Sequence, residues 1–333
     1  MEKNHPKVNY GKTGVLIINL GTPDSTSWLD IRKYLREFLS DRRVIEVNPI
    51  VWQIILNVFI LNLRPSKTAE AYKKIWMKKE NMSPLRHFTI MQAKKLATKI
   101  KEDTIIIDYA MRYGNPSIMK KMNNLQKSGC ENIIILPLYP QYAAATTATV
   151  CDEVYRCLMR MRWQPSLQII PHYESEPLYI NALKNSLEKK ISKINWQPDL
   201  IVASYHGIPK KYFDKGDPYH CYCQKTTRLL NESFNNNIEI KTTFQSRFGP
   251  QEWLQPYTDK TLEKLPKEGK KNVLLICPGF SSDCVETLEE IAMQGKETFL
   301  KNGGKNFDVV PCLNDSEDHI ELLSYLVNKY LIK

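Results

Sequence analysis

The sequence predicts an open α/β architecture in two domains, and three observations carry that prediction. Six short apolar runs, each rich in β-branched residues and ending in polar or turn residues, read as strands buried on both faces of a parallel sheet. Longer segments with helical spacing lie between them, and such alternation implies parallel strands joined by right-handed crossovers. The length of 333 residues fits two domains at about 150 residues each. A second strand–helix series begins after Trp163-Gln164-Pro165, which puts the boundary near residue 165.

In chain order the strand-like runs are residues 15–20 (VLIINL), 105–109 (IIIDY) and 133–136 (IIIL), then 200–203 (LIVA), 273–276 (VLLI) and 307–310 (FDVV). After the first of these, residues 29–39 (LDIRKYLREFL) place Leu29, Tyr34, Leu35, Phe38 and Leu39 on one side of a helix. Residues 179–194 behave similarly in the second domain. A last helix is expected over 317–331. The resulting division is 1–165, 166–312 and a segment 313–333 whose helix is expected to pack back on the first domain.

Composition excludes several classes. Hydrophobic residues at 42% and charged residues at 25% are globular proportions, which disorder and collagen-like chains do not have. The N-terminus MEKNHPKVNYGKTG lacks an apolar signal region, and no apolar run approaches the ~18–20 residues that span a bilayer. A cytoplasmic protein is expected. Eight cysteines scattered over such a chain argue against a disulfide framework. Cys221-Tyr222-Cys223 beside His220 is a conceivable metal clip, but no second ligand pair stands at zinc-site spacing. The charge is 47 Lys+Arg against 36 Asp+Glu, or +11, and it is dispersed. No helix-turn-helix, RNA-binding signature or basic tail accompanies it, so no nucleic-acid partner is expected. An anionic small molecule or an acidic membrane surface remains as the partner of that charge.

In open α/β sheets ligands bind beyond the carboxyl ends of the strands. No G-x-G-x-x-G and no G-x4-G-K-[ST] is present, so nucleotide sites are not supported. Four strand ends stand out instead, at residues 112–116 (RYGNP), 137–142 (PLYPQY), 204–209 (SYHGIP) and 277–286 (CPGFSSDCVE). His206 sits where a strand meets a Gly-Ile-Pro turn that aims it outward. A helix over 284–299, capped by Ser282 or Asp283, places Glu286 and Glu290 on one stripe, with Gln294 a turn further on. Glu286 alone is explained by a capping box and the helix dipole. Two acids on one stripe at such a mouth look like a proton or cation path, and burial with like-charge repulsion would raise one carboxyl pKa.

Seven motifs in order then reveal a resemblance: Leu20-Gly21-Thr22-Pro23, Met111-Arg112-Tyr113, residues 138–142 (LYPQY), 204–209 (SYHGIP), 216–219 (GDPY), 244–250 (FQSRFGP) and 282–288 (SDCVETL). Together they resemble the ferrochelatase family over about residues 14–315. The resemblance implies two Rossmann-like lobes, each a parallel sheet flanked by helices, with a porphyrin cleft between them. It implies a lyase that forms nitrogen–metal bonds, inserting ferrous iron into protoporphyrin IX to give protohaem, the terminal step of haem biosynthesis. Iron and porphyrin are then substrates, with no tightly bound cofactor. His206 and Glu286 are implied as the catalytic pair and as iron ligands, with Glu290 extending the route; His206 accepts a proton or holds iron, and both roles stand. Arg112, Tyr113, Tyr139, Leu20 and Tyr72 match porphyrin-contacting positions, Arg112 as a partner for a propionate. For Tyr139 and Tyr72 plain core packing competes.

Residues 50–63 (IVWQIILNVFILNL) are too short to span a membrane and too apolar for an ordinary loop. By resemblance they form a lip over the cleft; their apolar character adds the expectation that Trp52, Ile55 and Phe59 touch the inner face of the cytoplasmic membrane peripherally. An amphipathic core helix is the competing reading. Some members carry a [2Fe–2S] cluster; here the internal ligand position is Ala144 and no cysteine follows Cys312, so the cluster is expected to be absent. Cys284 stands where other members have histidine, and Gln294 where some have an acid. The alternatives within this frame are a porphyrin or haem carrier without turnover and a chelatase for coproporphyrin or cobalt.

Overall fold

The computed structural model describes residues 8–234 and 238–331; the outermost ends of the expected division, 1–7 and 332–333, lie outside them. Among the described residues, eight strands form two sheets. β1 (Lys12–Thr22), β2 (Ile105–Gly114), β3 (Cys130–Pro137) and β4 (Ser166–Ile169) lie in the order β2-β1-β3-β4. β5 (Leu200–His206), β6 (Ile240–Gln245), β7 (Asn272–Ile276) and β8 (Asn306–Val309) lie in the order β6-β5-β7-β8. Every pairing is parallel, and the two sheets share one topology. All six runs read from the sequence are strands.

Two strands escape that reading. β4 is a four-residue edge strand (SLQI) with no fully buried residue, too short to show a pattern. It pairs with β3, so the first sheet extends past residue 165 and the boundary drawn there falls one strand too early. β6 (IKTTFQ) is a partly polar edge strand, so it lacks the continuous apolar run of the strands beside it. Among the helices, Trp28–Leu39 buries Ile31, Tyr34, Leu35 and Leu39. Leu29, expected on that face, is 71% exposed.

The principal core runs through both lobes. Val15, Ile17, Ile134 and Leu136 of the first sheet share one apolar cluster with Ile201, Ala203, Leu274 and Ile276 of the second. Between the sheets lie helices Pro84–Ile100, Pro177–Ile191 and Glu317–Asn328, the last packing on the other two. Polar contacts fasten the same seam. Gln92 donates to the Asn314 carbonyl at 2.8 Å, and Lys95 pairs with Asp315 at 2.6 Å.

In each sheet the first strand has one neighbour reached directly and another reached from the opposite side. The order therefore reverses at β1/β3 and at β5/β7, and a crevice at the carboxyl ends of those strands is where ligands bind in such sheets. Leu20 and Tyr139 stand at the first reversal, His206 and the segment 277–286 at the second.

Candidate active site

His206 ends β5, paired in register with Gln245, the last residue of β6. Gly207 follows because nothing larger fits: a β-carbon there would lie 2.8 Å from the Gln245 carbonyl oxygen. The half-buried imidazole places Nδ1 2.6 Å from the Gly207 carbonyl oxygen. That oxygen only accepts, so Nδ1 carries a proton, and Nε2 is the ring nitrogen left to accept a proton or bind a metal.

The acidic stripe lies on a π-helix, Glu286–Gly295, continued by an α-helix, Lys296–Lys301. Capping differs from expectation. Neither Ser282 nor Asp283 caps it; the Cys284 N–H donates to Thr287 Oγ1, whose hydroxyl donates to Asp283 Oδ1. Asp283 is held by Asn314 instead, at 2.7 Å. The widened turn keeps Glu286 and Glu290 together. Gln245 Nε2 donates to the Glu286 carbonyl at 3.1 Å. Glu290 accepts from the Ser246 N–H at 2.8 Å and from the Ser246 hydroxyl. Burial pushes the Glu290 carboxyl above the ordinary carboxylate range, and the Glu286 charge adds to that; Ser246 and the nearby His206 oppose it. Glu290 thus lies within electrostatic reach of both the imidazole and Glu286.

On the first-lobe side an aromatic wall faces these groups. Tyr34, Tyr72 and Tyr113 share one apolar cluster with Leu20 at its edge, and Phe248, Val285 and Leu288 of the second lobe pack against it. Tyr34 sits among Tyr72, Tyr113, Tyr139 and Glu286; burial first, then their charges, raise its hydroxyl pKa. The Tyr139 and Thr22 hydroxyls are buried with no hydrogen-bond partner in the protein. Gly21 beside Thr22 is dictated by close approach, since a β-carbon would sit 1.8 Å from the Tyr113 carbonyl oxygen.

Arg112 stands differently from expectation. Its guanidinium is 7% exposed, pairs with Asp41, donates to the Thr149 carbonyl at 2.9 Å and lies 4.3 Å from the Tyr113 ring centre. Tyr113 donates to the same Asp41 carboxylate at 2.9 Å. Arg112 is thus engaged internally. Cys284 is buried, and burial first and then the Glu286 charge push its thiol pKa well up, so it is a protonated thiol at neutral pH. Cys221 is exposed and Cys223 buried on one helix; two residues apart they face different ways and do not form a clip. Among the described residues no group of three His, Cys, Asp or Glu side chains is placed to hold a metal ion.

The lip is a helix Pro49–Ile55, a π-turn Leu56–Ile60 and a helix Leu61–Ile75. Ile50, Val51, Ile54, Val58, Phe59 and Leu63 are exposed. Trp52, expected outward, points inward and donates its indole N–H to the Leu39 carbonyl at 2.7 Å; Ile55 is half-buried. Among the described residues no helix is long and apolar enough to cross a membrane. Behind Glu290 a cavity of about 530 Å3 is lined by Ser246, Arg247, Tyr257, Gln294 and Thr298. Sequence reasoning assigned no role to Ser246, Gln245, Tyr34 or Asp41. Of these, Gln245 and Ser246 lay inside a quoted motif and Tyr34 on a predicted buried face.

The fold is that of two-lobed chelatases. SirB from Bacillus subtilis, solved with Fe3+, superimposes with a TM-score of 0.59 at 10% identity, covering 96% of this chain and 95% of that one. DR2241 from Deinococcus radiodurans, described as similar to chelatases, matches with a TM-score of 0.53 at 9% identity over 97% of this chain and 56% of its own. Sequence narrows the class. The family profile described as Ferrochelatase matches residues 12–331. A ferrochelatase of Allorhizobium ampelinum is 54% identical over 99% of this chain and 97% of its own, and one of Francisella tularensis subsp. novicida is 51% identical over 96% of each. The chain belongs to the ferrochelatase family.

Proposed function

We propose that this protein inserts ferrous iron into protoporphyrin IX, giving protohaem and releasing two protons. The observation that carries this reading is geometric: His206 at the end of β5 is in register with Gln245, which donates to the Glu286 carbonyl, while the adjoining Ser246 N–H holds Glu290, so one imidazole and two acids converge opposite an aromatic wall contributed by the other lobe. Metallation removes two pyrrole protons and strips water from Fe2+, a borderline cation that accepts imidazole and carboxylate ligands. A neutral His206 with a free Nε2 accepts a pyrrole proton or a bond to iron. Glu286 accepts the second pyrrole proton, and Glu290, whose carboxyl burial pushes above the ordinary carboxylate range, passes protons toward the cavity behind it. Leu20, Tyr72 and Tyr113 supply apolar contact for the macrocycle. The orphaned Tyr139 and Thr22 hydroxyls have the donor chemistry for a propionate.

The tyrosine wall is packed and the lip cluster meets the second lobe, so porphyrin uptake requires the lip to move. With its exposed apolar row and the nearby Arg64 and Lys67, the lip fits peripheral contact with the inner face of the cytoplasmic membrane, from which a poorly soluble porphyrin would be taken. The deciding experiment mixes protein, protoporphyrin IX and Fe2+ anaerobically and follows porphyrin fluorescence. Catalytic loss is expected, whereas stoichiometric quenching would mark a carrier. His206→Ala and Glu286→Gln should each lose turnover, by 100-fold or more for a general base or ligand, while still binding porphyrin. Near-normal turnover in either removes that residue from the mechanism.

A further inference from the structure

The π-helix is clamped from two sides, and only one clamp belongs to the acids already described. Glu290 is held by Ser246 of the second lobe. Its neighbour Glu289 turns the other way, is 6% exposed, and spends both carboxylate oxygens. Oε1 accepts from Lys74 Nζ at 2.7 Å, across the two lobes, and Oε2 accepts from Gln294 Nε2 at 2.8 Å. Gln294 is five residues on, the spacing of a π-turn hydrogen bond. One buried carboxylate thus fastens the π-turn to itself and to the first lobe. Lys74 lies two residues after Tyr72, on the helix Leu61–Ile75 that continues the lip.

We propose that Glu289, Lys74 and Gln294 are positioning residues for metal insertion: they hold the widened turn in the register that presents Glu286 and Glu290, and they couple that register to the seating of the lip helix. The proposal rests on the reading that Glu286 and Glu290 carry out the chemistry. Three physical points support it. A π-helix is uncommon and its i→i+5 pattern needs support from its surroundings. A buried carboxylate stripped of its cationic partner destabilises its own location. The side-chain amide at 294 is also the group that donates to Glu289, which an ionised acid at that position would repel. Gln294 therefore completes a different network from the stripe of Glu286 and Glu290.

The test is steady-state turnover with Fe2+, or Zn2+ as a stable surrogate, together with porphyrin affinity by fluorescence. Lys74→Met and Glu289→Gln should each lower kcat about tenfold while the porphyrin Kd stays within twofold, because the macrocycle contacts are untouched. Lys74→Arg, which keeps the charge, should retain kcat within twofold. The exchanged pair Lys74→Glu with Glu289→Lys should run faster than either single reversal. If Glu289→Gln fails to fold, Lys74→Met carries the test, since that side chain is 54% exposed. Wild-type kcat in Lys74→Met, or equal losses in Lys74→Met and Lys74→Arg, would overturn the proposal. Glu286→Gln, measured in parallel, keeps the two ideas apart: normal turnover there removes the site reading on which the clamp rests, whereas lost turnover there with wild-type kcat in Lys74→Met removes the clamp alone.

Discussion

Ser246 donates both its backbone N–H and its hydroxyl to the carboxylate of Glu290, the N–H at 2.8 Å. To do so it takes a φ of 65°, in the left-handed region that costs a residue with a β-carbon about 1 kcal/mol or more. Such strain persists where the surroundings over-determine it, and here it aims two donors at one acid on a neighbouring element.

Those donors stabilise the ionised acid, so removing one favours protonation. Ser246→Ala should move the acidic limb of the kcat–pH profile to higher pH. A hydrogen bond to a charged group contributes about 1.5–3 kcal/mol, so kcat should fall on the acidic side of the profile and recover under alkaline conditions. A profile superimposable on wild type would exclude Glu290 from proton transfer.

The buried Glu290 carboxyl also bears on stability. Its carboxyl titrates above the ordinary value in the folded chain because it is buried, so between those two pKa values the folded state binds more protons than the unfolded one. Stability from this group is present at low pH and is lost as pH rises through the folded pKa. Glu290→Gln should therefore melt a few degrees higher than wild type at pH 8, with the gap closing toward pH 5, while turnover is lost. A lower melting point at pH 8 contradicts this.

His319 works in the opposite direction. It is 1% exposed at the seam between the lobes, with Nδ1 2.6 Å from the Asn314 carbonyl oxygen, and burial pushes its pKa down to about 4. The unfolded imidazole titrates near 6.5, so acidification protonates the unfolded chain first. The stabilisation is full above about pH 6.5 and falls by roughly 3 kcal/mol as pH drops to 4. Urea midpoints at pH 7 and 5 should differ less in His319→Gln than in wild type. An unchanged pH slope in the variant would mean another group governs acid lability.

The exposed row on the lip predicts membrane affinity. Replacing Ile54 and Phe59 with glutamate removes two side chains worth about 1.5–3 kcal/mol each when buried. Sedimentation with anionic vesicles should show at least tenfold weaker binding, with turnover on detergent-solubilised porphyrin little changed. Equal sedimentation of variant and wild type would leave the lip as a cover for the cleft alone.

Much of the architecture was legible in the chain. Runs such as VLIINL and VLLI are apolar because strands flanked by helices on both faces meet water on neither, and that pattern survives in one dimension. β4 and β6 were illegible because a short or partly polar edge strand acquires its identity from the neighbour it pairs with. The candidate residues were visible as chemistry, His206 at a strand end and Glu286 and Glu290 on the helix that follows another. Leu29 and Trp52 were misplaced because a helical stripe read from spacing is broad, and packing partners choose which edge of it is buried.

By itself the sequence determined the α/β class, the strand ends where ligands gather, and the residue types able to take protons and iron. Only the tertiary structure decided which groups face one another. It turned Arg112 inward to Asp41, left the Tyr139 hydroxyl without a partner, and widened the helix at Glu286 into a π-turn tied to Lys74 of the other lobe. Those outcomes depend on contacts between residues tens to hundreds of positions apart. Local spacing carries no information about such pairs until the two sheets have packed.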